Sequence, residues 1–138
     1  MISKIQMQSQ GALVFDKIIE GFNHYNNEVI TLDRKEAFDF FVEKWQQSPN
    51  AYIDFYFYTL EKESQDAVLG VLGVLDEDEK AYIQSMDRQG IYFEITEKLL
   101  EIAVKLNAME MLFCTIYFAD ISETYWGNYK QQYVRFWK

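Results

Sequence analysis

Residues 94–118 read EITEKLLEIAVKLNAMEMLFCTIYF, and this stretch predicts a helix that leads directly into a buried strand. The apolar side chains of the helix recur three and four positions apart and therefore share one face: Leu99, Ile102, Ala103 and Leu106. The opposite side is charged and carries Glu97, Glu101 and Lys105. Residues 111–118 form a nearly continuous apolar and aromatic run, which is typical of a central strand. We expect the rest of the chain to pack on this helix and strand.

The chain has 138 residues, of which 49% are hydrophobic and 17% are aromatic. A chain of this size can bury a core without disulfides or a structural metal, so we expect a single domain over residues 1–138. Its one cysteine, Cys114, cannot form an intramolecular disulfide, and no N-terminal segment has the pattern of a secretory signal. The longest apolar run falls well short of the roughly 20 residues of a membrane helix. These features predict a cytoplasmic protein without a membrane span.

The net charge of −9 is unevenly distributed along the chain. Residues 121–138 hold three basic side chains and one acidic side chain, which leaves a net charge of −11 on residues 1–120. An acidic surface repels phosphate backbones and attracts basic surfaces. The sequence therefore argues against general nucleic-acid binding and favours a basic protein partner.

Two amphipathic helices are predicted in the first third of the chain. Residues 10–25 keep apolar side chains at helical spacing, whereas residues 1–10 show no clear period and are left unassigned. Asp33 stands three residues before Glu36, and such a pair forms a capping box at the start of a helix. The helix that follows ends before Pro49, the one proline in the chain.

The middle of the chain gives one firm helix start and one ambiguous segment. Asp76 and Glu79 form a second capping pair, which predicts a short helix to about residue 86. Residues 66–75 fit a helix, but Gly70 and Gly73 each disfavour one by about 1 kcal/mol. A buried strand is the alternative for this segment.

Two more stretches predict strands. Residues 52–60 alternate between a drier face and a face that bears hydroxyls and one acid: Tyr52, Asp54, Tyr56 and Tyr58. Residues 124–137 resemble a hairpin that turns at Gly127 and Asn128. With the strand at 110–118, these segments predict a single α+β domain whose mostly antiparallel or mixed sheet is packed by helices. The alternative is an α/β fold, because strand 91–94, helix 96–107 and strand 110–118 could form a right-handed crossover.

No constellation of residues predicts catalysis. The one histidine, His24, lies at a predicted helix end, and Cys114 lies in an apolar run. One Cys and one His also leave too few soft ligands for a zinc site. We therefore expect no enzyme activity, no cofactor and no bound transition metal. Asp54 is the one acid to inspect, because an acid among aromatic side chains can have a raised pKa. The alternative is a structural role, in which Asp54 accepts a hydrogen bond from a tyrosine hydroxyl.

Size, acidity and aromatic content favour a protein that acts by binding another protein. Tyrosine and tryptophan are common at the energetic centres of interfaces, and acidic side chains accelerate the capture of a basic partner. The hypothesis is an immunity or inhibitor protein for a basic toxin or nuclease. Its candidate interface residues are Tyr56, Tyr58, Tyr125, Trp126, Tyr129, Asp76, Glu77, Asp78 and Glu79.

Two alternatives come from other functional classes. The first is a small-molecule-binding domain or a carboxylate- and tyrosine-based enzyme, with a pocket beside strand 52–60. The second is a structural subunit of a homo-oligomer. A cavity of several hundred cubic ångströms lined by Asp54, Tyr56 and Tyr58 would favour the small-molecule alternative, whereas a flat acidic surface with exposed aromatic side chains would favour a protein partner.

Overall fold

A computed structural model describes residues 2–138, which form six α-helices and one six-stranded sheet. The helices are α1 (Lys4–Ser9), α2 (Ile18–His24), α3 (Arg34–Gln47), α4 (Lys62–Gly70), α5 (Glu77–Ser85) and α6 (Glu97–Ala108). The strands are β1 (Asn26–Thr31), β2 (Ala51–Asp54), β3 (Tyr92–Glu94), β4 (Thr115–Phe118), β5 (Glu123–Asn128) and β6 (Gln132–Trp137). Among the described residues, no helix combines the length and the apolar character needed to cross a membrane.

The sheet has the strand order β1-β6-β5-β4-β2-β3, and every neighbouring pair is antiparallel. This arrangement confirms the α+β class. Strands β3 and β4 run in the same direction because each is antiparallel to β2, and α6 connects them. The predicted strand, helix and strand are therefore present, but β2 lies between the two strands. The α/β alternative is wrong, since no two neighbouring strands within residues 2–138 are parallel.

Helix α6 packs in the main core beside α3, and both helices lie on the same face of the sheet. Thr96 caps its start by accepting a hydrogen bond from the Leu99 backbone N–H at 3.1 Å. The sequence predicts a charged side opposite the apolar face, but Lys105 on that side is buried, as is every residue from Leu99 to Asn107 except Glu101. The Lys105 ammonium is buried because it donates to both carboxylate oxygens of Glu79 on α5, at 2.7 and 2.9 Å.

Both predicted capping boxes form. The Glu36 backbone N–H donates to Asp33 Oδ1 at 2.8 Å, and the Asp33 N–H donates to Glu36 Oε1 at 3.1 Å. Asp76 and Glu79 make the same reciprocal pair at the start of α5. These contacts satisfy N–H groups that the first turn of a helix leaves without an intrahelical partner. The predicted starts of α3 and α5 are confirmed, because each depends only on two residues three positions apart.

The N-terminal segment differs from its prediction as one helix over residues 10–25. Gly11 has φ of +106° and sits so close to the sheet that a Cβ there would lie 2.7 Å from the Ala119 carbonyl oxygen. The chain then runs extended over the sheet, where the Leu13 carbonyl accepts a hydrogen bond from the Thr124 hydroxyl at 2.7 Å. Leu13 and Phe15 are buried against this face of the sheet. The apolar residues in the first half of the predicted helix therefore face the sheet, and within residues 10–25 only α2 is helical.

Three other elements differ from the sequence prediction. Strand β1 was not predicted, because five of its six residues are exposed and it shows no apolar alternation. Strand β2 ends at Asp54, because Tyr56 leaves the extended conformation with φ −93° and ψ 16° and Phe57–Thr59 form a short 3-10 helix. The hairpin turns at residues 129–131, where Lys130 and Gln131 have positive φ, instead of at Gly127 and Asn128. The ambiguous segment is helical through Gly70, in α4.

Candidate functional site

A cleft of about 350 Å³ opens on the face of the sheet opposite α3 and α6. The extended N-terminal segment covers part of this face and leaves the cleft beside the end of β2 and the start of β4. Alternation along the strands places Asp54, Thr115 and Trp126 on the same face, because these residues occupy neighbouring register positions. Six aromatic side chains line the cleft: Phe15, Tyr56, Tyr92, Phe113, Tyr117 and Trp126.

Asp54 lies in the lining of this cleft and is only 5% exposed. Its Oδ1 accepts a hydrogen bond from the Thr115 backbone N–H at 2.8 Å, and its Oδ2 accepts one from the Tyr117 hydroxyl at 3.1 Å. No lysine, arginine or histidine of residues 2–138 forms an ion pair with it. Burial raises the pKa of Asp54 to about 7, although the two hydrogen bonds act in the opposite direction. The group can therefore change its charge near neutral pH.

The walls of the cleft are ordered by contacts between rings. Phe15 stacks on the Trp126 indole with centroids 5.5 Å apart and planes 7° apart, and Tyr92 meets Tyr117 edge-on at 6.0 Å. The indole Nε1 of Trp126 is buried and has no hydrogen-bond partner within the described chain. Aromatic faces carry partial negative charge, so these walls are apolar and yet attractive to cations.

Asp16 is a second acid in the lining, and it lies on the exposed side. The Lys4 ammonium donates to its Oδ1 at 3.0 Å, and this contact raises the pKa of Lys4. Lys4 itself does not line the cleft, and the lining residues include no lysine, arginine or histidine of the described chain. The cleft therefore combines two carboxyl groups with six rings and no positive charge of its own.

The three tyrosine hydroxyls near Asp54 stay protonated at neutral pH. Burial raises the pKa of Tyr56, Tyr92 and Tyr117, and the negative charge of Asp54 raises each of them further. Tyrosine hydroxyls that remain neutral can both donate and accept hydrogen bonds. Asp54 is consequently the lining group whose charge responds to pH near 7.

The predicted aromatic interface residues lie in four different environments. Tyr56 and Trp126 line the cleft, and Tyr129 is exposed but stacks edge-on against Phe113, with centroids 4.8 Å apart. Tyr58 points to the other side of the chain, where its hydroxyl donates to the Ile83 carbonyl at 2.7 Å. Tyr125 is fully buried in the main core and offers no surface to a partner.

The acidic candidates do not form one continuous surface. Asp76, Glu77 and Asp78 are exposed at the start of α5, but Glu79 is 1% exposed and pairs with Lys105. Glu79 cannot contact a partner in this fold. The interface role of the other acids stays a prediction.

The structure also places the residues considered for nucleophilic chemistry. His24 is exposed at the last position of α2, and Cys114 is buried in the main core. Burial raises the pKa of the Cys114 thiol well above its ordinary value, and the thiol therefore stays protonated. Neither residue lines the cleft.

Sequence reasoning identified Asp54 and Tyr56 but missed most of the other lining residues. Thr115 and Tyr117 were detectable in principle, because both lie on one face of a predicted strand. Phe15 and Asp16 gave no usable signal, since their place depends on the turn at Gly11 and the extended path that follows it. Comparison of the chain with protein-family models, with curated proteins and with solved structures finds no match.

Proposed function

We propose that the protein binds a small molecule in the cleft above Asp54. The observation that carries this proposal is a buried carboxyl group, without a cationic partner in the described chain, that lines an open cavity walled by aromatic rings. Small-molecule sites have this composition, with mostly apolar and aromatic walls and a few converging polar groups, and begin at volumes of about 300 Å³.

The cost of burying Asp54 supports a role beyond packing. A carboxyl group loses hydration when it is buried, and two hydrogen bonds from neutral donors compensate for only part of that loss. An asparagine could join β2 to β4 through the same two positions without a charge to desolvate. A site that recognises a ligand through its carboxylate would explain why an acid occupies this place.

A fragment screen read by NMR tests the proposal on the unmodified protein. The reporters are the Thr115 backbone amide, which donates to Asp54, and the Trp126 indole N–H. A bound fragment should shift both signals saturably. The indole signals of Trp45 and Trp137 serve as internal controls, because neither residue lines the cleft. Absence of saturable shifts at Thr115 and Trp126 across a chemically diverse fragment set would refute the proposal.

Capture of a basic protein is a second candidate function, and one group of exposed residues favours it. A groove of about 280 Å³ is lined in part by Gly73, Met109 and Gln131. Leu72, Met109 and Tyr129, which lie in or close in sequence to this lining, are 94%, 55% and 60% exposed. The exposed acids at the start of α5 follow shortly after Gly73 in the chain. Exposed apolar side chains with acids nearby in the chain suit an immunity or inhibitor protein that holds a basic toxin or nuclease, and the acids of α5 would supply the attraction because the groove lining itself includes Arg34 and Lys105.

A further inference from the structure

We infer that the cleft selects a small organic ammonium ion, an inference that rests on the proposed small-molecule function. Charge is the first reason. Asp54 and Asp16 both line the cleft, and none of its lining residues is basic. The Asp54 carboxyl group accepts hydrogen bonds from two neutral donors only. Buried charges in proteins are normally paired, and an ammonium group in the cleft would supply the missing partner.

The aromatic walls are the second reason. An ammonium ion is attracted to the face of an aromatic ring within about 6 Å of the ring centroid. The cleft presents six rings around one carboxyl group, and the stacked pair Phe15 and Trp126 holds two of them parallel. Combined rings and carboxylates recognise organic ammonium ions through attraction to the charge and through contact with the attached carbon groups.

Other ligand classes match the lining less well. An anion would be repelled by the Asp54 carboxylate, and the lining offers no lysine or arginine to offset that repulsion, because Lys4 lies outside the lining and is paired with Asp16. A neutral aromatic molecule would contact the rings but would leave the Asp54 carboxyl group without a cation. A metal ion would find only Asp54 and Asp16 as charged ligands, and among the described residues no three acids, histidines or cysteines gather into a metal-binding group.

Ammonium binding should also be linked to pH. Asp54 has a pKa of about 7 in the free protein, and a bound cation favours its ionised form, so binding releases a proton. Four ionisable groups share the cleft lining with Asp54: Tyr117 of β4, Tyr92 of β3, Tyr56 beyond β2 and Asp16 of the N-terminal segment. Burial raises the pKa of the Cys114 thiol, and the charge of Asp54 raises it further. The pKa of each tyrosine and of the thiol is raised, so these groups keep their protons over this range.

The experiment compares three probes with one ring and different charges: benzylammonium, benzyl alcohol and benzoate. Dissociation constants are measured by NMR titration at about pH 8, with the Thr115 amide and the Trp126 indole as reporters. We expect benzylammonium to bind about tenfold or more tightly than benzyl alcohol, and benzoate to show no saturable binding. Between about pH 6 and pH 8 the affinity for benzylammonium, which stays protonated, should rise, while that for benzyl alcohol should not.

Asp54→Asn removes the charge and keeps the size of the side chain. It should weaken benzylammonium binding about tenfold and leave benzyl alcohol binding nearly unchanged. Asp78→Asn is the matched control, because it removes the same charge from an exposed position on α5 outside the cleft. A thermal melt of each variant reports folding, and the pH series on the unmodified protein needs no variant.

The outcomes separate the two levels of the hypothesis. Equal binding of benzylammonium and benzyl alcohol, or preference for benzoate, with shifts at Thr115 and Trp126 would overturn the ammonium inference and leave the small-molecule function standing. An affinity for benzylammonium that falls as pH rises would overturn it as well. If none of the probes and no member of the fragment set shifts these reporters, both the inference and the proposed function fail.

Discussion

The Tyr117 hydroxyl donates a hydrogen bond to Asp54 Oδ2 across 3.1 Å, and this contact joins two neighbouring strands beneath the cleft. The last paired position of β2 and β4 is Ile53 with Ile116. Beyond that position the Asp54 side chain, instead of its backbone, receives the Thr115 N–H. The same carboxyl group therefore extends the strand contact and faces the cavity, so its ionisation should affect both stability and binding.

The first prediction concerns the stability of the unliganded protein as a function of pH. Asp54 has a pKa of about 7 when folded, against a reference value of 3.8 when exposed. Because the pKa of Asp54 is higher in the folded protein than in the unfolded chain, the folded protein binds the proton more tightly than the unfolded chain does. Stability from this group is therefore largest below the unfolded pKa and falls as pH rises from about 4 to about 7, by up to about 1.4 kcal/mol per pH unit.

The measurement is urea unfolding of the wild type and of Asp54→Asn at several pH values. Other acids contribute equally to both proteins, so the difference between them isolates Asp54. The wild type should lose stability relative to Asp54→Asn between about pH 4 and pH 7, and the difference should level off at higher pH. A difference that does not vary with pH would show that the Asp54 pKa is not raised.

The second prediction concerns the buried ion pair between α5 and α6. Lys105→Met leaves the Glu79 carboxylate buried without its partner, so we expect a loss of about 3 kcal/mol in the free energy of unfolding. Lys62→Met is the control, because it breaks an exposed pair with Asp66 and should cost less than about 1 kcal/mol.

A double variant tests the cause of that loss. Glu79→Gln combined with Lys105→Met removes both charges but keeps a side-chain oxygen that can accept the Asp76 N–H of the capping box. It should recover part of the stability lost in Lys105→Met. If the double variant is less stable than Lys105→Met, the buried unpaired charge is not the dominant cost.

The third prediction concerns the close approach of α6 to β5. A Cβ at Gly127 would lie 2.1 Å from Asn107 Oδ1 and 2.9 Å from the Cys114 carbonyl oxygen. Gly127→Ala should therefore destabilise the protein by about 1–3 kcal/mol, and the loss should be smaller in an Asn107→Ala background. Gly70→Ala is the control, since a Cβ there meets nothing within 4 Å. Equal losses in the two backgrounds would argue against a clash with Asn107.

The fourth prediction concerns Cys114, which is buried in the main core as the sequence predicted. A soluble thiol reagent should label it slowly in the native protein and rapidly after unfolding in urea. Cys114→Ala should lower the free energy of unfolding by about 1–2 kcal/mol through the small cavity that it creates. Rapid labelling under native conditions would contradict the buried position.

Some of the features behind these predictions are visible in the local sequence, and others are not. Capping boxes depend on residues three positions apart, so Asp33 with Glu36 and Asp76 with Glu79 were visible locally. The burial of Lys105 depends on Glu79, which lies 26 positions away, and no local pattern records that contact. Periodicity alone places Lys105 opposite the apolar face and does not reveal its buried partner.

The cleft depends even more strongly on contacts distant in the sequence. Asp54 meets Thr115 and Tyr117 across more than 60 positions, and this contact follows from strand register. Register is set by the pairing of whole strands, so a single strand pattern suggested an acid on a tyrosine-bearing face but could not supply its partners. The turn at Gly11 decided which side chains completed the walls.

The last prediction tests the second candidate function, the capture of a basic protein. Affinity capture from native cell extract at low salt should retain a basic partner, whose association rate should fall markedly as ionic strength rises, because screening acts over about 10 Å at 0.1 M salt. The dissociation rate should change much less with salt. Tyr129→Ala should instead raise the dissociation rate, since an exposed aromatic side chain contributes contact area within the complex.

Removal of acidic charges tests whether the start of α5 controls the association rate, separately from the contacts that set the dissociation rate. Neutralising Asp76, Glu77 and Asp78 together should lower the association rate if the start of α5 faces the partner. The control neutralises three other exposed acids, chosen away from α5: Glu20, Asp39 and Glu43. Both triple variants change the net charge equally, so a larger effect of the first would locate the steering charges at α5. Equal effects would assign steering to net charge alone, and an acidic or absent partner would refute the protein-capture function while leaving the cleft to be tested independently.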